Sequence, residues 1–515
     1  MKRRQFIQTG SLISLPVLLG GLEVTAVSRS SLFNLVNSDD DKVLVLIQLN
    51  GGNDGLNMVI PLDQYSGLNM VRPNLVLPEN KVLKLRDNTG LHPQMPGMKQ
   101  LYDEGKLAVL QSVGYPDQNR SHFRSTDIWT SGSDSDEYVT TGWLGRYLDL
   151  KFPGYPVGFP NTDHPDPFAI TLGTVVSETC QGPSTNYSFA LVNQASVRII
   201  EETVAAPSDP GCYGAEVDFI KTSIRQSNDY ASTVLQAFDQ GNSMETYPDT
   251  NLGRQLQMVA NLISGGLKTK IYVVSIGGFD THANQVLIDD TENGNHATLL
   301  NTVSEAVHTF TKDLEKLGVN ERVMGMTFSE FGRQIRANNS YGTDHGTAAP
   351  LFVFGSCVDS KIYGENPEID NNIAQQEGVP MQFDFRSVYA TMLVSWLGAS
   401  ESQVRDVLFK DFTMVPFIKD CSQSTSVLAV DESMVVKVSP NPATDNVEIS
   451  WESRGGVSHI SIMNTTGALV ENIMERTTSP GIHKLNVSIA HYSKGSYFVY
   501  IREGNLSKTI KWIKI

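Results

Sequence analysis

Five short runs of apolar residues, each next to a polar or glycine-rich loop, constrain the fold of this 515-residue chain more than any other feature. The runs are VLVLIQL, LAVLQSVG, IYVVSIGG, VMGMTF and LFVFG, beginning at Val43, Leu107, Ile271, Val323 and Leu351. Their apolar residues are continuous rather than alternating. Continuous runs of this length are typical of strands that are covered on both faces in a parallel sheet.

Apolar residues recur with the spacing of a helix between the third and fourth runs. In ATLLNTVSEAVHTFTKDLEKLG the apolar side chains fall on one stripe: Leu299, Leu300, Val303, Val307, Phe310, Leu314 and Leu317. Gly318 suits the position after the end of a helix. Strand, helix and strand in alternation predict an α/β fold with a doubly wound, mostly parallel sheet.

Changes in composition predict four segments. Residues 1–32 form an export signal and leader, in which Arg3 and Arg4 precede an apolar run too short to span a bilayer. The signal is of twin-arginine type, and an ordinary signal with two arginines is the alternative. Residues 40–418 form the α/β domain and 419–433 a linker. Residues 434–515 alternate apolar and polar positions, which predicts a small β-sandwich.

Charge and cysteine content exclude some functions. The net charge of −16, from 56 acidic and 40 basic residues, argues against a nucleic-acid partner, which requires a basic surface. The four cysteines contain no C-x-x-C pair, so a cysteine zinc site is not expected. Pairing of Cys180 with Cys212 is left open. After export, we expect no transmembrane helix in the mature protein.

Polar side chains gather where the apolar runs end, and ligands of open α/β sheets bind at the carboxyl ends of the strands. These side chains are Asn53, Asp54, Arg120, Ser121, His122, Asp280, His282, Ser329, Glu330 and Arg333, while Asp344 and His345 precede the fifth run. Carboxylates, imidazoles and hydroxyls of this kind suit a divalent metal such as zinc. Taken singly, each also has a structural role, such as a turn for Asp54 or a helix N-cap for Ser121.

Together these motifs resemble the DUF1501 family, a domain of unknown function grouped with the alkaline phosphatase and sulfatase superfamily. The matching stretches are QLNGGNDGLNMVIPL, LHPQM, VGYPDQNRSHFRSTDIWTSG, GWLGRYL, GGFDTHANQ, FSEFGRQI and GTDHGTAAPLFVFG, in this order over about residues 43–356. The resemblance implies an alkaline phosphatase-like α/β fold. It also implies one or two divalent metals and attack by a hydroxyl or thiol nucleophile on phosphorus or sulfur.

For the metal ligands, the resemblance implies Asp54 after the first run and the pair Asp280 and His282 after the third. FSEFGR carries Glu330 where the superfamily has an aspartate and Phe331 where it has a histidine. The resemblance therefore implies one zinc-type site and a weaker second site formed by Asp54, Glu330 and Ser121, without an imidazole.

GTDHGTAAPLFVFG permits two alignments with the superfamily. In one, Asp344 and His345 are the Asp–His pair that follows a strand. In the other, which we prefer, His345 is a later, separate ligand beside Asp280 and His282, and Asp344 orients its ring within the metal centre.

The implied nucleophile is Ser121, with Arg120 or Arg124 neutralising the anionic transition state. These assignments predict an exported, metal-dependent hydrolase of phosphate or sulfate esters, including glycan-derived ones. The alternative is a non-catalytic cell-surface or secreted binding protein that retains the fold and one structural metal, which Phe331 favours. A serine hydrolase triad is not supported, because no G-x-S-x-G motif is present.

The last 80 or so residues resemble the type A C-terminal sorting domain of the type IX secretion system of Bacteroidota. The matching features are SPNPA beginning at Ser439, GSYFV beginning at Gly495, and an end containing Lys508, Lys511 and Lys514. The resemblance implies that the export and type IX secretion machinery carries the protein through the periplasm to the cell surface or the medium. A β-sandwich binding module is the alternative.

Overall fold

The computed structural model describes residues 41–515 except 87, 195–196, 198–226, 371, 420–435, 454, 465–468 and 504–505. The predicted export signal with Arg3 and Arg4, and nearly all of the predicted linker, lie outside the described residues. The chain divides into two compact units, with the boundary between residues 423 and 424.

Nine of the described strands of the first unit form one sheet. The described strands of this unit are β1 (Val43–Leu49), β2 (Val59–Pro61), β3 (Leu83–Arg86), β4 (Thr89–Leu91), β5 (Leu107–Gly114), β6 (Ala169–Leu172), β7 (Ser188–Leu191), β8 (Ile271–Ile276), β9 (Val323–Phe328), β10 (Ala349–Phe354), β11 (Ile362–Tyr363) and β12 (Phe383–Asp384). The large sheet has the order β11-β5-β10-β9-β1-β8-β6-β7, with β12 also paired to β5. The small remaining sheet has the order β2-β4-β3.

Helices lie between these strands. The described α-helices are α1 (Gly55–Met58), α2 (Tyr65–Val71), α3 (Pro96–Asp103), α4 (His122–Ser131), α5 (Trp143–Lys151), α6 (Asn251–Ser264), α7 (Asn295–Lys316), α8 (Phe385–Thr391) and α9 (Glu401–Leu408), and residues 227–240 are also helical. The helix predicted from its apolar stripe is α7. Gly318 follows it with φ +68°, the left-handed conformation expected of a glycine after a helix end.

The predicted α/β fold with a mostly parallel sheet is confirmed. β1 pairs in parallel with β8 on one side and β9 on the other. Along β1, Leu44 and Leu46 enter one hydrophobic core while Val45 and Ile47 enter the other. The strand is therefore covered on both faces, which is why its sequence is continuously apolar.

Strand β10 is an exception that matters for the site. It runs antiparallel to both β9 and β5, so β5 runs in the same direction as β9. The loop that precedes β10 therefore lies at the same edge of the sheet as the loops that follow β1, β5, β8 and β9. Because β10 is reversed, His345, which precedes β10, lies at the same edge of the sheet as Asp280, which follows β8.

The second unit is a pair of antiparallel sheets, as predicted for the C-terminal segment. Its described strands are β13 (Val436–Ser439), β14 (Asn446–Ser453), β15 (Gly456–Asn464), β16 (Leu469–Thr478), β17 (Gly481–Ser488), β18 (Gly495–Glu503) and β19 (Leu506–Lys514). The sheets have the orders β13-β14-β17 and β16-β15-β18-β19. Trp451 and Trp512 are buried in the core of this unit.

The described residues also bear on the cysteines and on candidate membrane spans. Cys180 is buried and free, so its pairing with Cys212 does not occur. Cys357 is disulfide-bonded. Among the helices that the structure describes, none is long and apolar enough to cross a membrane.

Candidate metal centre

Four side chains converge at the carboxyl edge of the sheet. Asp280 Oδ1 lies 3.1 Å from Nε2 of His282 and 3.5 Å from Nε2 of both His122 and His345. The Nε2 atoms of His282 and His345 are 2.9 Å apart. Donor atoms around a tetrahedral zinc lie about 3.3–3.4 Å from one another when each is about 2.0–2.1 Å from the ion. The separations from Asp280 Oδ1 are close to this value, and the ligand atoms of His122, Asp280 and His345 all lie within 4.8 Å of one another.

Each of the three imidazoles is oriented by an acceptor on its other nitrogen. The acceptors are Glu330 Oε1 for His122, Asp344 Oδ1 for His282 and the Arg120 carbonyl for His345, each 2.8 Å from Nδ1. Because a carbonyl or an ionised carboxylate can only accept, Nδ1 carries a proton, and in the neutral ring the lone pair is therefore on Nε2. This is the usual support of metal-binding histidines.

His122 provides a direct test of whether the residues fit a metal. Its Nε2 atom is buried and has no hydrogen-bond partner among the described residues. A buried polar atom without a partner is unfavourable, and a cation between His122, Asp280 and His345 would satisfy it. The donor set of nitrogen and oxygen atoms thus fits a divalent metal.

The surroundings of Asp280 and His345 favour the forms of these two side chains that bind metals. Burial raises the pKa of Asp280, but Arg333, whose Nη2 donates to Oδ1 at 2.7 Å, and the nearby imidazoles lower it below its ordinary value. Burial and the charge of Arg333 lower the pKa of His345, against an opposing effect of its hydrogen bond to the Arg120 carbonyl. A carboxylate anion and a neutral imidazole are the forms that bind metals.

Two glycines after β1 allow the ligand loops to approach. Gly51 and Gly52 have φ values of +124° and +77°, which only glycine adopts readily. A Cβ atom on Gly51 would lie 2.3 Å from the Asp280 nitrogen, and one on Gly52 would lie 2.2 Å from the Phe331 ring. The Arg333 guanidinium donates hydrogen bonds to the carbonyls of both glycines, so another side chain would not easily replace it.

Among the residues predicted from sequence, the structure brings Asp280, His282 and His345 together. Asp344 contacts the ring of His282, not that of His345 as we predicted. Glu330 is buried, and its Oε1 accepts from His122 Nδ1 and, at 2.8 Å, from the Gly51 amide. Glu330 therefore orients the candidate ligand His122 through the Nδ1 atom of its ring.

The other predicted site residues have different partners. Asp54 is buried in an ion pair with Arg72 at 2.9 Å, so the described contacts do not join it to Glu330 and Ser121 in a second site. Ser121 is exposed and occupies the N-cap position of α4 without a side-chain cap hydrogen bond.

Both arginines predicted to contact the substrate are also engaged. The Arg120 guanidinium donates to the Gln376 carbonyl at 2.8 Å. Arg124 pairs with Asp127 and stacks on the Tyr138 ring, 3.9 Å from its centroid.

His122 is the ligand candidate that sequence reasoning missed. It stands among the polar residues after the second apolar run, but it is assigned no role from the sequence. The available signal was its position at a strand end on the same edge as the other histidines. Arg333 was likewise noted at a strand end without a function.

Fold and site define an α/β protein with a candidate His/Asp metal centre and a separate C-terminal β-sandwich. Residues 236–406 match the family model described as "Protein of unknown function (DUF1501)". Residues 437–515 match the model described as "Secretion system C-terminal sorting domain". The chain thus combines a DUF1501 region with a type IX sorting domain, which indicates export to the cell surface or the extracellular space and the secretion machinery as a partner.

Solved structures resemble this chain at low identity. A protein of the alkaline phosphatase superfamily from Vibrio parahaemolyticus is 10% identical, with 84% of this chain and 82% of that one covered and a TM-score of 0.33. The PsFucS1 sulfatase from Pseudoalteromonas sp. is 9% identical, with 88% and 86% covered and a TM-score of 0.30.

PorZ, a surface component of the type IX secretion system of Porphyromonas gingivalis, is 22% identical over 19% of this chain, with a TM-score of 0.13. This chain covers only 13% of PorZ. No curated protein matches the chain.

Proposed function

We propose that this protein is an exported, metal-dependent hydrolase of phosphate or sulfate esters. The observation that carries the proposal is that three imidazole Nε2 atoms lie within 3.5 Å of Asp280 Oδ1 at the carboxyl edge of the sheet. Asp280 is 50% exposed and His282 is 44% exposed, so the centre is open to solvent. A purely structural metal site is usually closed by its protein ligands, whereas a catalytic one remains accessible.

The metal would be held by His122, His282, His345 and Asp280, and zinc is favoured by these donors. A bound divalent cation would act as a Lewis acid on the anionic ester and on the attacking oxygen. Within the chain, Arg333 keeps Asp280 ionised, and the acceptors at the three Nδ1 atoms hold the imidazole protons away from the site.

Ser121 is the proposed nucleophile because it directly precedes His122 at the exposed start of α4. Its hydroxyl does not cap the helix, so the hydroxyl is not engaged by the first helical amides. The N-terminus of a helix also favours anions, which supports a phosphate or sulfate ester as the substrate.

A non-catalytic binding protein is the second candidate. It is favoured by the engagement of the Arg120 and Arg124 guanidinium groups with Gln376 and Asp127, away from the histidine cluster in the described contacts. A metal-loaded protein that hydrolyses neither phosphate nor sulfate esters would support this candidate.

Replacing Ser121 by alanine tests the hydrolase proposal. We expect Ser121→Ala to abolish hydrolysis of 4-nitrophenyl phosphate or sulfate by the zinc-loaded full chain, while metal content and stability stay unchanged, because the hydroxyl makes no cap bond.

The matched control is Ser400, which occupies the N-cap of α9 and forms a complete capping box. Ser400→Ala should lower stability by about 1 kcal/mol without altering turnover. Wild-type turnover that survives in Ser121→Ala would remove Ser121 as the nucleophile.

A further inference from the structure

Gln285 is a buried residue that connects two loops of the candidate metal centre. Its side chain is inaccessible to solvent. Its Oε1 atom accepts hydrogen bonds from the hydroxyls of Thr281, at 3.0 Å, and Thr343, at 2.9 Å. Thr281 directly precedes His282, and Thr343 directly precedes Asp344, the residue that orients the His282 ring.

The nitrogen of the same amide is bound by a buried carboxylate. Gln285 Nε2 donates to Asp54 Oδ2 at 2.6 Å, and Asp54 is held in turn by Arg72. Because an ionised carboxylate cannot donate, the amide nitrogen of Gln285 must face Asp54 and its oxygen must face the two threonines. The amide is therefore locked in one orientation, and each threonine must donate its hydroxyl proton to it.

We propose that Gln285 is the positioning residue of the metal centre, clamping the His282 loop and the Asp344–His345 loop together on the fixed Asp54–Arg72 pair. The backbone supports this arrangement, because the Thr343 amide donates to the Thr281 carbonyl and the Gln285 amide to the Tyr341 carbonyl. The clamp sets the separation of His282 from His345, whose Nε2 atoms must both face one cation. This inference rests on the proposed metal centre for its function, but the clamp itself is a property of the chain alone.

The clamp also gives Asp54 a role that its position in the sequence does not reveal. Asp54 follows the first strand, as a metal ligand of the resembled superfamily does, but here it acts through Gln285 on loops that carry ligands. Supporting groups of this kind typically alter metal affinity by about 10–100-fold when they are removed.

The test compares Gln285→Met with Gln111→Met in the full-length protein. Methionine is close to glutamine in length and forms none of the three hydrogen bonds. Gln111 is a matched control because it is also buried and its amide bonds to Asn366 Oδ1 at 3.0 Å, outside the ligand loops. We would measure Zn²⁺ affinity by competition with a chelator, the visible spectrum of the Co²⁺-loaded protein, and amide hydrogen exchange of the metal-free protein.

We expect Gln285→Met to bind Zn²⁺ about 10–100-fold more weakly, to change the Co²⁺ spectrum, and to speed hydrogen exchange in residues 281–285 and 341–345 together. Gln111→Met should leave all three unchanged in these loops. Thr343→Val should weaken binding in the same direction, and Thr343→Ser, which keeps the hydroxyl, should restore it.

The outcomes separate the clamp from the proposed function. Unchanged Zn²⁺ affinity and Co²⁺ spectrum in Gln285→Met would overturn the positioning role while leaving the metal centre standing. Faster exchange in both loops of the variant, with no metal bound by the wild type, would support the clamp and overturn the metal centre. Unchanged exchange in both loops would overturn the clamp itself.

Discussion

Replacing His122 by alanine will weaken binding of a divalent cation by more than about a hundredfold, which exceeds the effect of removing a supporting group. The physical reason is that His122 Nε2 is a buried atom without a hydrogen-bond partner among the described residues, and it lies 3.5 Å from Asp280 Oδ1. We would reconstitute the full chain with Zn²⁺ and measure bound metal by elemental mass spectrometry. About one equivalent is expected in the wild type and none in His122→Ala or His345→Ala.

The matched control for this prediction is His164→Ala. His164 packs against the Phe152 ring at a centroid distance of 4.9 Å and contacts none of the candidate ligands in the described structure. Its replacement should leave the metal content unchanged. If His122→Ala retained a full equivalent while His345→Ala lost it, His122 would have to be removed from the ligand set.

Replacing Asp54 by alanine will lower the free energy of unfolding of the first unit by about 3–5 kcal/mol, the usual effect of breaking a buried ion pair from one side. Asp54 and Arg72 are both 1% exposed, so the arginine would be left buried without its carboxylate. Urea denaturation of the full chain measures the change. Asp249, which is 96% exposed and pairs with Arg254, provides the control, because its replacement should leave the transition unchanged.

The contribution of Asp54 also has a defined dependence on pH. Burial raises the pKa of Asp54, but Arg72, His296 and the Gln285 amide together bring it below the ordinary carboxyl value. A lowered folded-state pKa stabilises the fold above the unfolded pKa of about 3.9, and this stability is lost as the pH falls further. The wild type should therefore lose more stability than Asp54→Ala on acidification.

The metal content of the same variant separates two roles for Asp54. Folded Asp54→Ala should still hold about one equivalent of Zn²⁺, with reduced affinity through Gln285. Complete loss of metal from a variant of unchanged stability would instead identify Asp54 as a direct ligand, as the resemblance implies.

Much of the fold was predictable because burial on two faces leaves a local trace. The run from Val43 to Leu49 is continuously apolar, and it forms the centre of the sheet between β8 and β9. The apolar stripe from Leu299 to Leu317 likewise indicates one buried helix face. These patterns depend on residues that are near in sequence, so they can be recognised without the fold.

Which side chains contact one another in the site was not predictable in the same way. Asp344 stands beside His345 in the sequence, yet it orients His282, because the 2.8 Å contact is made between two loops. Glu330 and Asp54 have the residue type and strand-end position of ligands, but Glu330 contacts an imidazole Nδ1 and Asp54 contacts the Gln285 amide and the Arg72 guanidinium. Side-chain partners across loops depend on strand order and loop packing.

Residue type and strand-end position were enough to indicate an α/β chain with a cluster of candidate metal ligands at one edge of its sheet and a secretion domain after it. The tertiary structure decided which side chains meet. It did so through the antiparallel direction of β10, which brings His345 beside Asp280, and through the part-buried hydrogen bonds at Nδ1 that orient the three imidazoles. Strand direction and ring orientation are long-range properties, because contacts between segments far apart in the chain determine them.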